Sequence, residues 1–233
     1  MRSALELKSC LRQKIVGKWT ASTAYKAIDK QISNRFRKRL ENDDFTILCS
    51  NCIGGVIYHR LGKRFLSPTI NLFLSQPDFV SFCVNLDYYL GKSLVFIESE
   101  EEYPVAQLQG DGQEIPTITI FFNHDKEEEK AREDWENRKV RIHRDNLFII
   151  LYNLDGVTID QLQRLEQVQC RNKIVLTATP LPELKWSYYI KPDLHHQYPY
   201  SYLSKNLFGK RYYERKFDFV AFLNSYDGKK LIN

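Results

Sequence analysis

The sequence predicts an α/β fold: a single three-layer domain with a mostly parallel, Rossmann-like sheet, preceded by a basic helical segment. Three observations carry that prediction. Apolar runs at residues 45–49, 147–152 and 173–177 read as short buried strands bounded by turn residues. Between them lie stretches of helical period, and strands alternating with helices of about 10–15 residues point to parallel pairing. The first two runs stop abruptly at Ser50-Asn51 and at Asn153, polar tips of the kind where open α/β sheets hold ligands.

Length and composition set the frame. The chain has 233 residues, of which 43% are apolar, enough for one sizeable core. No run of about 18 apolar residues occurs, so no membrane-spanning helix is expected. The first residues lack an apolar signal region, and the five cysteines are an odd number without framework spacing. Both features point to the cytoplasm and to reduced thiols. The net charge of +5 is unevenly placed. Residues 1–44 hold eleven Lys/Arg against five Asp/Glu, whereas the rest holds 23 against 24. That balance in the body argues against nucleic acid as a partner.

Taken in order, residues 3–40 read as helical, with Leu7, Leu11 and Ile15 on one stripe and Lys8, Arg12, Lys14 and Lys18 off it. The stripe suits an anionic inner-membrane surface or the flank of the domain. The organisation is therefore a basic segment 1–44, an α/β domain 45–224 and a tail 225–233. Residues 56–61 continue the first strand as a helix. Pro68 holds the stretch 67–73 in a loop that leads into an extended segment. Asp78 is expected to cap a helix carrying Phe79, Phe82, Leu86 and Leu90. Strands follow at 94–97 and 115–122, the second ending at Asn123-His124-Asp125. A charged helix over 126–141 carries Trp135. Thr158 caps a helix over 158–168, residues 186–190 form a strand near an edge, and 217–223 form a closing helix.

The turn Ser50-Asn51-Cys52-Ile53-Gly54-Gly55 is the first candidate site. A Cys at a strand tip, with helix-terminal amides lowering its pKa, is a candidate nucleophile. Gly54 and Gly55 let backbone amides approach a substrate, and Ser50 and Asn51 offer side-chain hydrogen bonds. His124 closes another strand and, were that strand in the same parallel sheet, would face the same edge as the base for Cys52. Ser67, Thr69 and Asn71 offer groups suited to sugar hydroxyls or phosphate. Arg138 and Arg141, three apart on one helical face, suit a pyrophosphate or carboxylate; Asn146 and Asp155 sit at further turns. The spacing Cys49–Cys52 has no second pair, so no metal site is expected, and neither a Walker motif nor GxGxxG announces a cofactor.

The ordered set Ser50-Asn51-Cys52-Ile53-Gly54-Gly55, Leu61-Gly62, Ser67-Pro68-Thr69-Ile70-Asn71-Leu72-Phe73, Phe122-Asn123-His124, Ala131 with Trp135, Arg138 and Arg141-Ile142, Asp145-Asn146-Leu147-Phe148 and Asp155-Gly156 resembles a bacterial exopolysaccharide-biosynthesis family. The resemblance runs from about residue 40 to about 224. Ile53, His143 and Arg144 depart from the family's usual residues. It implies a setting among capsule and surface-polysaccharide proteins without supplying a reaction. The resulting expectation is a group-transfer enzyme acting on a glycan precursor or sugar nucleotide, cytoplasmic or peripheral on the inner membrane, with Cys52 and His124 at its reactive edge. The alternatives are a non-covalent glycosyltransferase-like protein and a non-catalytic scaffold of the assembly machinery.

Overall fold

The computed structural model describes residues 18–153, 157–190, 203, 205, 206 and 208–225. The stripe Leu7, Leu11 and Ile15 and the turn residue Asp155 lie outside the described residues.

Helix α1 (Thr23–Arg39) starts where the Ser22 hydroxyl accepts from the Tyr25 amide and ends with three basic residues in its last turn, which suits the helix dipole. Its buried side chains are Tyr25, Ile32, Ser33 and Phe36, and Phe36 meets the Phe219 ring at 4.8 Å. Strand β1 (Thr46–Cys49) leads directly into α2 (Ile53–Leu61), which Gly62 ends in the left-handed conformation with φ 66°. Then come α3 (Gln76–Val84), α4 (Leu86–Leu90), β2 (Val95–Ile97), β3 (Val105–Leu108) and β4 (Ile118–Phe121). Helix α5 (Glu128–Lys139), β5 (Leu147–Asn153), α6 (Ile159–Gln163), β6 (Asn172–Thr177), β7 (Ser187–Tyr189), α7 (Tyr212–Lys216) and α8 (Phe219–Asn224) follow among the described residues.

Two sheets result. The first runs β1-β5-β6-β7 and is parallel throughout. The second, β2-β3-β4, is antiparallel. The molecule is thus a mixed α/β protein with a four-stranded parallel sheet and a separate antiparallel one. The apolar run ending at Phe122 does not join the parallel sheet, because β3, which the sequence reading did not foresee, takes its hydrogen bonds. The cap of α3 also differs: the Ser75 hydroxyl accepts from the Asp78 amide, and Asp78 sits inside the first turn. Thr158 caps α6 as expected, within a full capping box.

The period-2 alternation of the central strands divides the core. Phe148, Ile150 and Tyr152 of β5 join a cluster with Phe36, Tyr58 and Phe219. Leu147, Ile149 and Leu151 join another with Phe79, Trp135 and Ile120. Both faces of β5 are therefore dry, which is why it reads as a continuous apolar run.

Strand β1 is an edge, and edges leave backbone groups without partners. Side chains supply them here. The Tyr58 hydroxyl accepts from the Ile47 amide at 3.0 Å and donates to the Phe45 carbonyl at 2.7 Å. The Thr69 hydroxyl accepts from the Cys49 amide at 3.0 Å. The segment around residues 67–74 thus lies along β1. It ends with the Leu74 amide donating to the Ser50 carbonyl and Phe73 bridging to Phe121 of β4. Those bonds tie the tip of β1 to the tip of β4.

Candidate active site

The tie between the two tips brings Cys52 and His124 together. Cys52 Sγ lies 3.4 Å from His124 Nε2, although 72 residues separate them. The expected pairing is present, but its cause is different: β4 reaches the site from the antiparallel sheet, not as a neighbour of β1. Cys52 is half-buried and His124 exposed, so a substrate can reach the pair. With a proton on Nδ1, Nε2 is free to accept the thiol proton, as a base must. Among the described residues no carboxylate bonds His124, so the arrangement is a dyad.

Local sequence explains the cysteine's position. Cys52 is the residue before α2 but does not cap it through its side chain. Asn51 does that work, its Oδ1 accepting from the Ile53 amide at 3.0 Å and from the Cys49 thiol at 3.4 Å. Gly54 faces the strand: a Cβ there would lie 3.0 Å from Cys49 Cβ. The glycine allows α2 to approach β1 closely, which sets the height at which the Cys52 sulfur emerges. Gly55 likewise faces Ile70 and Asn71, so both glycines serve packing.

Burial pushes the Cys52 thiol up from its ordinary value, against the expected lowering by helix amides. Cys49, wholly buried, is pushed up to about 11 by that burial. Among the described residues no group of three His, Cys, Asp or Glu side chains could hold a metal ion. Iodoacetamide alkylation of Cys52, followed by peptide mass spectrometry, is expected to rise with pH through a midpoint above that of an unstructured thiol. A midpoint below it would show that His124 holds a thiolate.

Most of the other predicted site residues are used internally. Ser50 is buried at the tip of β1. Ser67 and Thr69 are buried, their hydroxyls 3.2 Å apart, with Thr69 supporting Cys49. Asn71 adopts φ 59°, a left-handed turn that Asn tolerates, and its Oδ1 lies against Gly55. Arg138 donates to the Ile70 carbonyl at 2.9 Å and to Asp134 at 2.7 Å, which pins the site loop. Arg141 is half-buried just beyond α5. Asn146 exchanges amide hydrogen bonds with Asn42 at the start of β5, the end of the sheet away from Cys52. A cavity of about 810 Å³, lined by residues including Cys83, Arg144 and Cys170, opens at that same far end.

Three residues to which the sequence reading gave no role lie near the tips of β4 and β5. Asn123 Oδ1, Asp125 Oδ2 and Gln76 Oε1 are buried oxygens without a hydrogen-bond partner among the described residues. Asn123 and Asp125 flank His124, and Gln76 donates to the Tyr152 carbonyl at 3.1 Å near the tip of β5. Burial raises the Asp125 carboxyl above its ordinary value, although Arg138 works to lower it. Unpaired buried acceptors cost about 1–3 kcal/mol each. The Asn-His-Asp triplet closing a strand was the available signal.

The comparisons with known proteins agree with one another. A 36% identical protein of Haemophilus influenzae, described as an uncharacterized protein, aligns over 194 residues, 83% of this chain and 90% of that protein. The model of a family described as a domain of unknown function, DUF1919, matches residues 23–224. Neither description names a reaction or a polysaccharide. With most of its length covered by that match, the chain belongs to the DUF1919 family.

Proposed function

We propose that this protein is a group-transfer enzyme acting on a glycan precursor, with Cys52 as nucleophile and His124 as base. The 3.4 Å approach of Sγ to Nε2 at an accessible strand tip carries this reading. The thiol proton passes to Nε2 as sulfur attacks the electrophilic carbon of the donor. An S–C bond forms, the donor's bond to its leaving group breaks, and His124 returns the proton to that group. An acceptor hydroxyl then gives its proton to His124 and takes the group from sulfur, which restores the thiol. Because burial favours the neutral thiol, proton transfer accompanies attack.

The glycan assignment rests on the resemblance of the ordered motifs from Ser50 to Gly156 to those of an exopolysaccharide-biosynthesis family. The fold is read as a Rossmann-like three-layer arrangement, supported by the two apolar clusters fed by alternate strand residues. The setting is the cytoplasm or the inner face of the membrane; among the described residues no helix is long and apolar enough to cross it.

Cells carrying Cys52→Ser or His124→Ala are expected to lose one modification of their surface polysaccharide while the protein stays folded. Unchanged polymer composition in both strains would overturn the assignment. The burial that raises the Cys52 thiol favours a second reading, a sugar-nucleotide-binding transferase without a covalent step. A Cys52→Ala protein of near-normal activity would select it.

A further inference from the structure

We propose that the turn carrying Phe208, together with the adjoining face of α1, is a docking surface for an anionic membrane. Phe208 is 70% exposed, yet its neighbours Asn206, Gly209 and Lys210 are joined by hydrogen bonds. The Asn206 amide donates to the Lys210 carbonyl at 2.8 Å, and the Gly209 amide to the Asn206 carbonyl at 3.0 Å. Asn206 Oδ1 accepts from the amides of Phe208 and Lys210 at 3.0 Å each. Gly209, at φ 79°, seats the turn against Asp29 and Ile32 of α1. A large apolar ring is therefore held out into water by a structure that could as easily have carried a polar residue.

The surroundings are aromatic and basic. Tyr25 donates from its hydroxyl to the Asn206 carbonyl at 3.4 Å, and Trp19, 36% exposed, meets Tyr25 edge-on at 6.2 Å. Lys26 and Lys30 on α1, next in the chain to Tyr25 and Asp29, and Lys210 on the turn itself are exposed. The nearby acids, Asp29 and Glu214, are both engaged by Arg60, and Lys205 also pairs with Asp29. The outward charge is consequently positive.

A projecting ring with exposed lysines on its own turn and on the adjoining helix matches the interface between headgroups and acyl chains, where the ring enters the apolar boundary and the ammonium groups meet anionic lipid. Lysine is depleted from protein–protein interface cores. Single-stranded nucleic acid asks for a groove with several stacking rings, whereas Phe208 projects. The docking surface is independent of the Cys52–His124 chemistry.

The test is sedimentation of the full chain with vesicles of mixed phosphatidylglycerol and phosphatidylcholine, with vesicles of phosphatidylcholine alone, and with a DNA duplex. Binding is expected to the mixed vesicles only and to weaken with salt. Phe208→Ser should weaken it about tenfold or more, as expected for removing one buried apolar group. The combined change Lys26→Glu, Lys30→Glu and Lys210→Glu should abolish it. Both proteins should keep the parent's melting temperature, since every changed side chain is exposed. Absence of vesicle binding, equal binding to neutral vesicles, binding to the duplex alone, or vesicle binding that survives Phe208→Ser would each overturn the proposal.

Discussion

Glu214→Ala is expected to destabilise the protein by about 3–5 kcal/mol, the usual cost of leaving one half of a buried ion pair without its partner. Arg60 is the reason. Its side chain is 4% exposed and that of Glu214 is 0% exposed. The guanidinium grips Glu214 through two bonds of 2.8 Å. It also donates to Asp29 at 2.5 Å and to the Gly209 carbonyl at 2.6 Å. One cation therefore clasps α1, α2, α7 and the Phe208 turn. Removing Glu214 leaves a buried cation half-satisfied and should lower the melting temperature by roughly 6–20 °C for a domain of this size. The double change Arg60→Met with Glu214→Leu should recover much of that loss, because an apolar pair of similar volume needs no desolvation. Thermal melts of the single and double variants decide the matter, and a Glu214→Ala protein with the parent's melting temperature would refute the clasp.

The same clasp gives the protein an acid limit. Burial works to raise the Asp29 carboxyl, but hydrogen bonds from Lys205 and Arg60 outweigh it and hold the group below its ordinary value. A lowered folded-state pKa contributes stability above the unfolded value, and that contribution is lost as pH falls through the folded one. Asp29 is partly solvated, so its share of the acid loss is modest.

Tyr58→Phe is expected to cost about 2–6 kcal/mol, since it leaves two buried backbone groups unpaired at about 1–3 kcal/mol each. The hydroxyl bridges the Ile47 amide and the Phe45 carbonyl on the open edge of β1. The ring itself stacks on Phe45 at 5.3 Å, and phenylalanine preserves that contact. The loss therefore isolates the hydrogen bonds. Because β1 delivers Cys52, amide exchange at Ile47 should accelerate in the variant and Cys52 should alkylate faster. A melt within about 0.5 kcal/mol of the parent, the range of an ordinary surface change, would show that the edge is satisfied some other way.

Legibility followed the range of the interactions involved. The runs at 45–49, 147–152 and 173–177 became β1, β5 and β6, because burial on both faces writes an apolar run into the chain itself. Thr158 was readable as a cap because capping is a contact over three residues. Strand β3 passed unseen: the centre of Val105–Leu108 is Ala106 and Gln107, neither of them the β-branched or aromatic type that marks a strand. The hydroxyls of Ser67 and Thr69 looked available for substrate, yet they are spent on each other and on Cys49.

By itself the sequence determined that this protein builds a parallel sheet and places a cysteine and two glycines at the tip of its first strand. Those properties come from periodicity and turn chemistry over a few residues. Only the tertiary structure decided that a separate antiparallel sheet carries His124 to that cysteine, that the glycines serve helix packing, and that burial raises the thiol. Each depends on groups brought together from distant parts of the chain. Local pattern encodes what a segment buries, while strand partners and dielectric surroundings exist only once the whole chain has closed.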